Sequence, residues 1–248
     1  MHDSSSTTTV PDATGALRAT PRDLLCDVLG WDVITWAASL DHWQRYASID
    51  LTCSRALEIG AGESGGVSLW LALQGCEVTC TNPGGVSDRV RALHRRYGVA
   101  HRIRYASLDA LELGEREAYD VVAFKSVLGG IGTGGRFDRQ QLAVTRLHAA
   151  LKRGGNLLFA ENLAATRAHA AFRARFGAGK DLWRYVTVQD MNMLLQPFVE
   201  VRYRTTGFLG TWGASETQRR VCGAVDSFLC RWVVPSTWQY VVIGVAVK

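Results

Sequence analysis

The chain has 248 residues, a formal charge of +5, 47% hydrophobic and 21% charged side chains. That length holds one well-buried α/β core with room for an inserted cap, not two full domains, and the composition excludes a collagen-like, coiled-coil or wholly disordered chain. No apolar run reaches the roughly 18 residues of a membrane span, because the longest late stretch, 233–247, is broken by Pro235, Ser236, Gln239 and Gly244.

Residues 1–20 carry the run Ser4–Thr9 and almost nothing apolar, so they read as a disordered tail without a signal-peptide core. A cytoplasmic protein with no membrane partner is the expectation. Residues 21–54 read as a helical cap, with Trp36, Leu40 and Trp43 on one helix face. From Arg55 onward apolar strands alternate with amphipathic helices, the pattern of a parallel sheet. Arg55–Ile59 is the first strand and runs into Gly60-Ala-Gly-Glu-Ser-Gly65 and a helix stopped by Gly75. Strands follow at Glu77–Thr81, Arg102–Ala106, Tyr119–Phe124 and Asn156–Ala160, the last preceded by a helix that Leu151-Lys-Arg-Gly-Gly155 closes.

Beyond 160 the alternation is interrupted. Ala164–Phe176 reads as an extra helix ended by Gly177. Thr187, with Asp190 three residues on, predicts an N-cap for a helix that stops before Pro197. Val199–Thr205 and Tyr240–Val247 read as the sixth and seventh strands. Between them Val221, Val225, Phe228 and Trp232 recur at helical spacing. The segments 162–186 and 207–238 are therefore expected to be cap insertions in a domain spanning 55–248.

The six cysteines form no CxxC pair and no ligand-spaced cluster with histidine, so buried thiols and no metal are expected. The charge is concentrated: Arg167, Arg173, Arg175, Lys180 and Arg184 face the single acid Asp181 between 162 and 186. Such a stretch is either a solvated face or an anion-binding patch.

Gly60-x-Gly62-x-x-Gly65 between a strand and a helix is a nucleotide-binding turn. By itself it fits dinucleotide enzymes and S-adenosylmethionine (SAM) enzymes alike. A NAD site wants an acid at the end of the second strand for the ribose hydroxyls, and Asn82 stands there. Glu58, Asn82 and Asp109 together favour SAM. At these residues the chain resembles the class I SAM-dependent methyltransferases, through LEIGAGESGG at 57–66, SLDA at 107–110, YDVVAFKS at 119–126 and LKRGGNLLFAEN at 151–162. Weaker similarities at 31–43, 124–132 and 159–163 point to a small-molecule branch from polysaccharide or natural-product pathways.

The resemblance implies a Rossmann-like sheet of seven strands, the last antiparallel, with helices on both faces and a helical cap. It implies SAM bound by Glu58, Gly60, Ala61, Gly62, Asn82, Asp109, Ala110 and Lys125. Asn82 departs from the acid usual in that family, though its amide can accept from one ribose hydroxyl and donate to the other. Ligands bind beyond the carboxyl ends of such strands, where Glu161, His169 and Lys125 are the candidate bases. Trp36, Asn162, Arg173, Arg184 and Tyr185 would line a site for an anionic or sugar-type acceptor, methylated at a hydroxyl without metal. His94 and His148 read as structural. A possible homodimer is left open. A nucleic-acid substrate is disfavoured by the modest charge and the lack of an RNA-binding module. The rivals are a NAD(P) oxidoreductase and a non-catalytic SAM-fold regulator.

Overall fold

The computed structural model describes residues 21–176 and 182–248. The expected tail at 1–20, the helix stop at Gly177, and Lys180 with Asp181 lie outside the described residues. Seven strands, β1 (Arg55–Ile59), β2 (Glu77–Asn82), β3 (Ile103–Ser107), β4 (Tyr119–Lys125), β5 (Leu151–Asn162), β6 (Glu200–Thr206) and β7 (Val241–Val247), form one sheet in the order β3-β2-β1-β4-β5-β7-β6. The first five run parallel, and β7 is antiparallel to β5 and β6. This is the sheet expected from the sequence.

Both faces of the sheet are covered, which is why the central strands carry near-continuous apolar runs rather than alternating ones. On one face lie α1 (Pro21–Leu29), α2 (Val33–Tyr46), α3 (Gly66–Leu73) and α4 (Asp88–Arg96), packed on Val78, Val121, Leu158 and Val245. On the other lie α5 (Leu128–Ile131), α6 (Phe137–Ala150) and α8 (Val188–Leu194), packed on Leu57, Val122, Leu157 and Val242. Trp36 and Trp43 of α2 are both fully buried. At roughly 25 cal/mol per Å², burying rings of about 150–250 Å² outweighs the roughly 1 kcal/mol of a single polar contact, here Trp43 Nε1 donating to the Phe159 carbonyl at 3.3 Å. Hydrophobic burial therefore fixes α2 to the sheet face.

The helix start read at Thr187 is present as a reciprocal capping box: Thr187 Oγ1 accepts the Asp190 N–H at 3.0 Å, and Asp190 Oδ2 accepts the Thr187 N–H at 2.8 Å. Three details differ from expectation. First, β5 begins at Leu151, because Lys152 pairs with Asp120 at 2.8 Å and the Gly-Gly segment rejoins β4 through a bulge between Tyr119 and Val121. Second, α7 (Arg167–Phe176) starts later than Ala164, because Leu163 is drawn into a bridge with Val186.

Third, the stripe Val221, Val225, Phe228 and Trp232 of α9 (Glu216–Trp232) faces solvent, with exposures of 44–69%. The helix rides on α2, not on the sheet. Its inward face is Gly223 and Asp226, and a Cβ at Gly223 would stand 2.8 Å from Ile34 Cγ2. The thiols also divide: Cys76 and Cys80 are buried, Cys53 is exposed and the other three are intermediate. Among the described residues no helix is long and apolar enough to cross a membrane.

Candidate functional site

The carboxyl ends of β1, β2 and β4 bring the glycine turn beside Lys125. Gly60 has φ +70°, and a Cβ there would lie 2.7 Å from Val127 Cγ2. Gly62, at φ +54°, would meet nothing nearer than 4.0 Å, so the outer side of the turn is open to a ligand backbone-first. The turn is tied to β2: the Ala61 N–H donates to the Thr81 carbonyl at 2.8 Å, and Thr81 Oγ1 donates to the Glu58 carbonyl at 2.6 Å. Asn82 Oδ1 accepts the Gly62 N–H at 3.2 Å, while its Nδ2 donates to Pro83 and Gly85 carbonyls. Asp109 Oδ1 accepts the Leu111 N–H at 2.9 Å, an Asx turn that sets Ala110, buried, beneath it.

Glu58 is 3% exposed, and one carboxylate oxygen takes both the N–H and the hydroxyl of Ser68, with the Cys80 thiol 3.6 Å away. Burial raises its pKa. The carboxylate is thus committed to the first turn of α3, behind the glycine turn.

A second group of polar side chains gathers at the ends of β4, β5 and β7. Lys125 Nζ donates to the Leu29 carbonyl at 2.9 Å and lies 4.5 Å from the Trp36 ring centre and 5.3 Å from that of Trp31. Burial lowers its pKa to about 8, against the attraction of Asp32, Glu161 and Glu58. Glu161, 1% exposed, accepts the N–H groups of Val127 and Leu128 at 2.7 Å and that of Asn162 at 2.8 Å. Burial raises its pKa to about 7 even so. Asn162 Nδ2 donates to Ser126 Oγ at 2.6 Å, and Ser126 has a left-handed φ of 58°.

His169 is fully buried with both ring nitrogens engaged: Nε2 meets the Phe208 carbonyl at 2.9 Å and so carries the proton, which leaves Nδ1 to accept from Thr166 Oγ1 at 2.7 Å. Its ring packs on Trp212 at 4.3 Å. Arg184 pairs with Asp190 at 3.0 Å and Gln140 at 2.7 Å, directed away from the strand ends. Arg173, in contrast, is 6% exposed and turns inward. Its Nη1 donates to the Leu163 carbonyl at 2.6 Å, and its guanidinium lies 4.5 Å from the Tyr185 ring centre. His94 is buried between Tyr105 and the Gly65 carbonyl, and His148 packs edge-on against Phe198.

Two members of this group carry no signal in the sequence. Asp32, fully buried with a left-handed φ of 47°, accepts the Tyr240 hydroxyl, and the Tyr240 oxygen lies 3.2 Å from Thr35 Oγ1, whose hydroxyl can donate to it. Burial raises the Asp32 pKa to about 6. Glu216 holds the strained turn by accepting the N–H groups of Asp32 and Val33 at 2.9 and 3.0 Å. Only tertiary structure joins residues 32 and 240. Of the five buried side-chain polar atoms without a partner among the described residues, three are Asp32 Oδ1, Trp36 Nε1 and Arg173 Nη2, each on a residue beside Tyr240 or Lys125. Among the described residues no group of three or more His, Cys, Asp or Glu side chains is placed to hold a metal ion.

No family model matches the chain, and no curated protein matches it in sequence. Its structure is similar to a SAM-dependent methyltransferase of Thermotoga maritima described as a possible histamine N-methyltransferase, at 16% identity and a TM-score of 0.58, covering 92% of this chain and 94% of that one. It is also similar to a Haemonchus contortus phosphoethanolamine N-methyltransferase, solved with S-adenosylhomocysteine, at 15% identity and a TM-score of 0.59. That match covers 93% of this chain, which spans 60% of the worm enzyme. The cyclase SpnF is matched at 16% identity and a TM-score of 0.56, over 92% of each chain. Together with the strand order and the glycine turn, these similarities give the chain the fold of the class I SAM-dependent methyltransferases.

Proposed function

We propose that the protein is a SAM-dependent methyltransferase that modifies a small-molecule acceptor at oxygen. The observation that carries this reading is the meeting, at the carboxyl ends of the central strands β1 and β4, of an open glycine turn and the amine of Lys125, whose pKa burial lowers to about 8. The structural neighbours include proteins solved with SAM or S-adenosylhomocysteine.

The residues present fit SAM. Gly60, Ala61 and Gly62 offer backbone at close range, Asn82 lies where the ribose hydroxyls would pair, and Asp109 with Ala110 borders the adenine side. Glu58 supports the turn from behind. When bound, SAM supplies an electrophilic methyl group on a sulfonium. The chain's own part is to align an acceptor and remove its proton. Of the three candidate bases, Glu161 clamps three backbone N–H groups and His169 has both nitrogens engaged. Lys125 is the base we assign. Its amine is already partly neutral near pH 8, and a neighbouring positive charge would lower its pKa further. α7 and α9, at the same end of the sheet, form the cap over the acceptor.

Two of the neighbours bear the name N-methyltransferase, which supports an amine acceptor as the second reading; Lys125 would then take the proton from an ammonium. Calorimetry should show SAM and S-adenosylhomocysteine binding and no NAD(H) binding, and tight NAD(H) binding would sink the proposal. Lys125→Met should lower kcat by about 10²–10⁴-fold while S-adenosylhomocysteine affinity changes little. Cofactor binding with no turnover on any acceptor would point to a SAM-fold regulator instead.

A further inference from the structure

We infer that the acceptor carries a carboxylate and that Arg173 alone reads its charge; this rests on the methyltransferase reading above. The basic stretch at 162–186 looks in the sequence like a broad anion patch, and the structure reduces it. Arg167 and Arg175 are exposed on the outer face of α7, and Arg184 is neutralised by Asp190. Arg173 alone among these described residues is buried without a counter-ion, and its Nη2 has no hydrogen-bond partner.

A buried cation without a partner is held at a large desolvation cost, and burial indeed disfavours the Arg173 charge while Tyr185, Tyr240 and Glu161 favour it. Glu161 does not close the circuit: it makes no hydrogen bond to Arg173, and its oxygens accept three backbone N–H groups. Nη1 is taken by the Leu163 carbonyl, and the guanidinium lies 6.0 Å from the Tyr240 ring centre, so the group with its unpartnered Nη2 sits at the ends of β5 and β7. That is the acceptor side of the proposed site, so the missing anion is supplied by the acceptor.

The geometry selects the kind of anion. One guanidinium neutralises one charge. A phosphate monoester carries about −1.5 to −2 near neutral pH, and it would need a second donor of positive charge. Lys125 faces the Trp31–Trp36 pair and the Leu29 carbonyl. The start of α8 is closed by its capping box. A planar carboxylate matches the guanidinium fork, and the ring of Tyr185 at 4.5 Å gives its carbon skeleton an aromatic wall.

The test uses the full chain saturated with S-adenosylhomocysteine and three probes of one shape: benzoate, phenyl phosphate and benzyl alcohol. Benzoate should bind most tightly by calorimetry. Arg173→Met should weaken it by about 10- to 100-fold, the range of a charge-assisted pair. Arg173→Lys, which keeps the charge and loses the fork, should weaken it by roughly 3- to 10-fold. S-adenosylhomocysteine affinity should stay within about twofold of wild type in both variants, which also reports that they fold. Arg167→Ala, on the exposed face of the same helix, should leave benzoate binding unchanged. Equal benzoate affinity in wild type and Arg173→Met, or tighter binding of phenyl phosphate than of benzoate, overturns the inference. Failure of wild-type protein to bind S-adenosylhomocysteine overturns the methyltransferase reading beneath it.

Discussion

The two halves of the candidate site are built on opposite terms. Around the glycine turn the polar side chains that support it are partnered within the protein: Glu58 with Ser68, Thr81 with the Glu58 carbonyl, Asn82 with Gly62, Asp109 with Leu111. What this half offers a ligand is backbone, on the open side of Gly62. At the ends of β4, β5 and β7 the order is reversed. Buried side chains there keep unpaired atoms, Asp32 Oδ1, Trp36 Nε1 and Arg173 Nη2. A group shared by every user of a cofactor can be met by a fixed backbone cradle, whereas an acceptor is read by side chains held in place at a cost.

The sharpest break in this contrast is in the cradle. Gly60→Val forces a β-branched residue to φ +70° and drives its Cβ to within 2.7 Å of Val127 Cγ2. S-adenosylhomocysteine binding should fall below detection by calorimetry while the circular dichroism spectrum persists; retained binding would mean the turn is not the cofactor site. Next is Glu161→Ala, which strips three backbone N–H groups of their acceptor. At about 1–3 kcal/mol for each buried orphan, stability should drop by roughly 3–5 kcal/mol in urea unfolding. A loss under about 1 kcal/mol would count against Glu161 as the clamp of the loop after β4.

The smallest effect is one of pH. Asp32 and Glu161 have folded-state pKa values raised to about 6 and about 7. Between roughly pH 4 and 7 each of these two carboxyls therefore binds more protons in the native state than in the unfolded chain and contributes less to stability as pH rises. His42, His94, His148 and His169, whose pKa values burial lowers, contribute in the opposite direction. The slope is at most about 1.4 kcal/mol per pH unit for each group. Asp32→Asn removes one carboxyl contribution and leaves the histidines untouched, so its melting temperature should rise relative to that of wild type between roughly pH 4 and 7. A difference between variant and wild type that stays constant over this interval would contradict the raised pKa of Asp32.

The legibility of the sequence divides along the same line. The sheet, the glycine turn and the Thr187–Asp190 cap rest on short-range patterns, and residues spaced along one element carry them. Lys125, Glu161 and Arg173 could be placed at the strand ends, yet their partners could not. Whether Glu161 is free or bound depends on the N–H groups of Val127 and Leu128, which approach only when the loop after β4 folds back. Asp32 and Tyr240, 208 residues apart, have no local signature at all. The period of α9 was readable, but not which face it turns inward: Gly223 and Asp226 are the contact because the seat is α2, a helix that requires close approach rather than a broad apolar stripe.

Asp226 has a mechanical consequence. Its carboxylate accepts the N–H groups of Phe208, Leu209 and Gly210 at 2.8–3.1 Å. The chain from Gly207 to Gly213 is thereby fastened to the middle of α9 and travels with it as one piece. Phe208 and Trp212 both stack on His169, at 5.3 and 4.3 Å, so the imidazole couples that piece to α7. If α7 and α9 cover an acceptor as proposed, opening has to part this aromatic joint or swing the two helices together, because the turn cannot peel away from its helix without stranding three N–H groups.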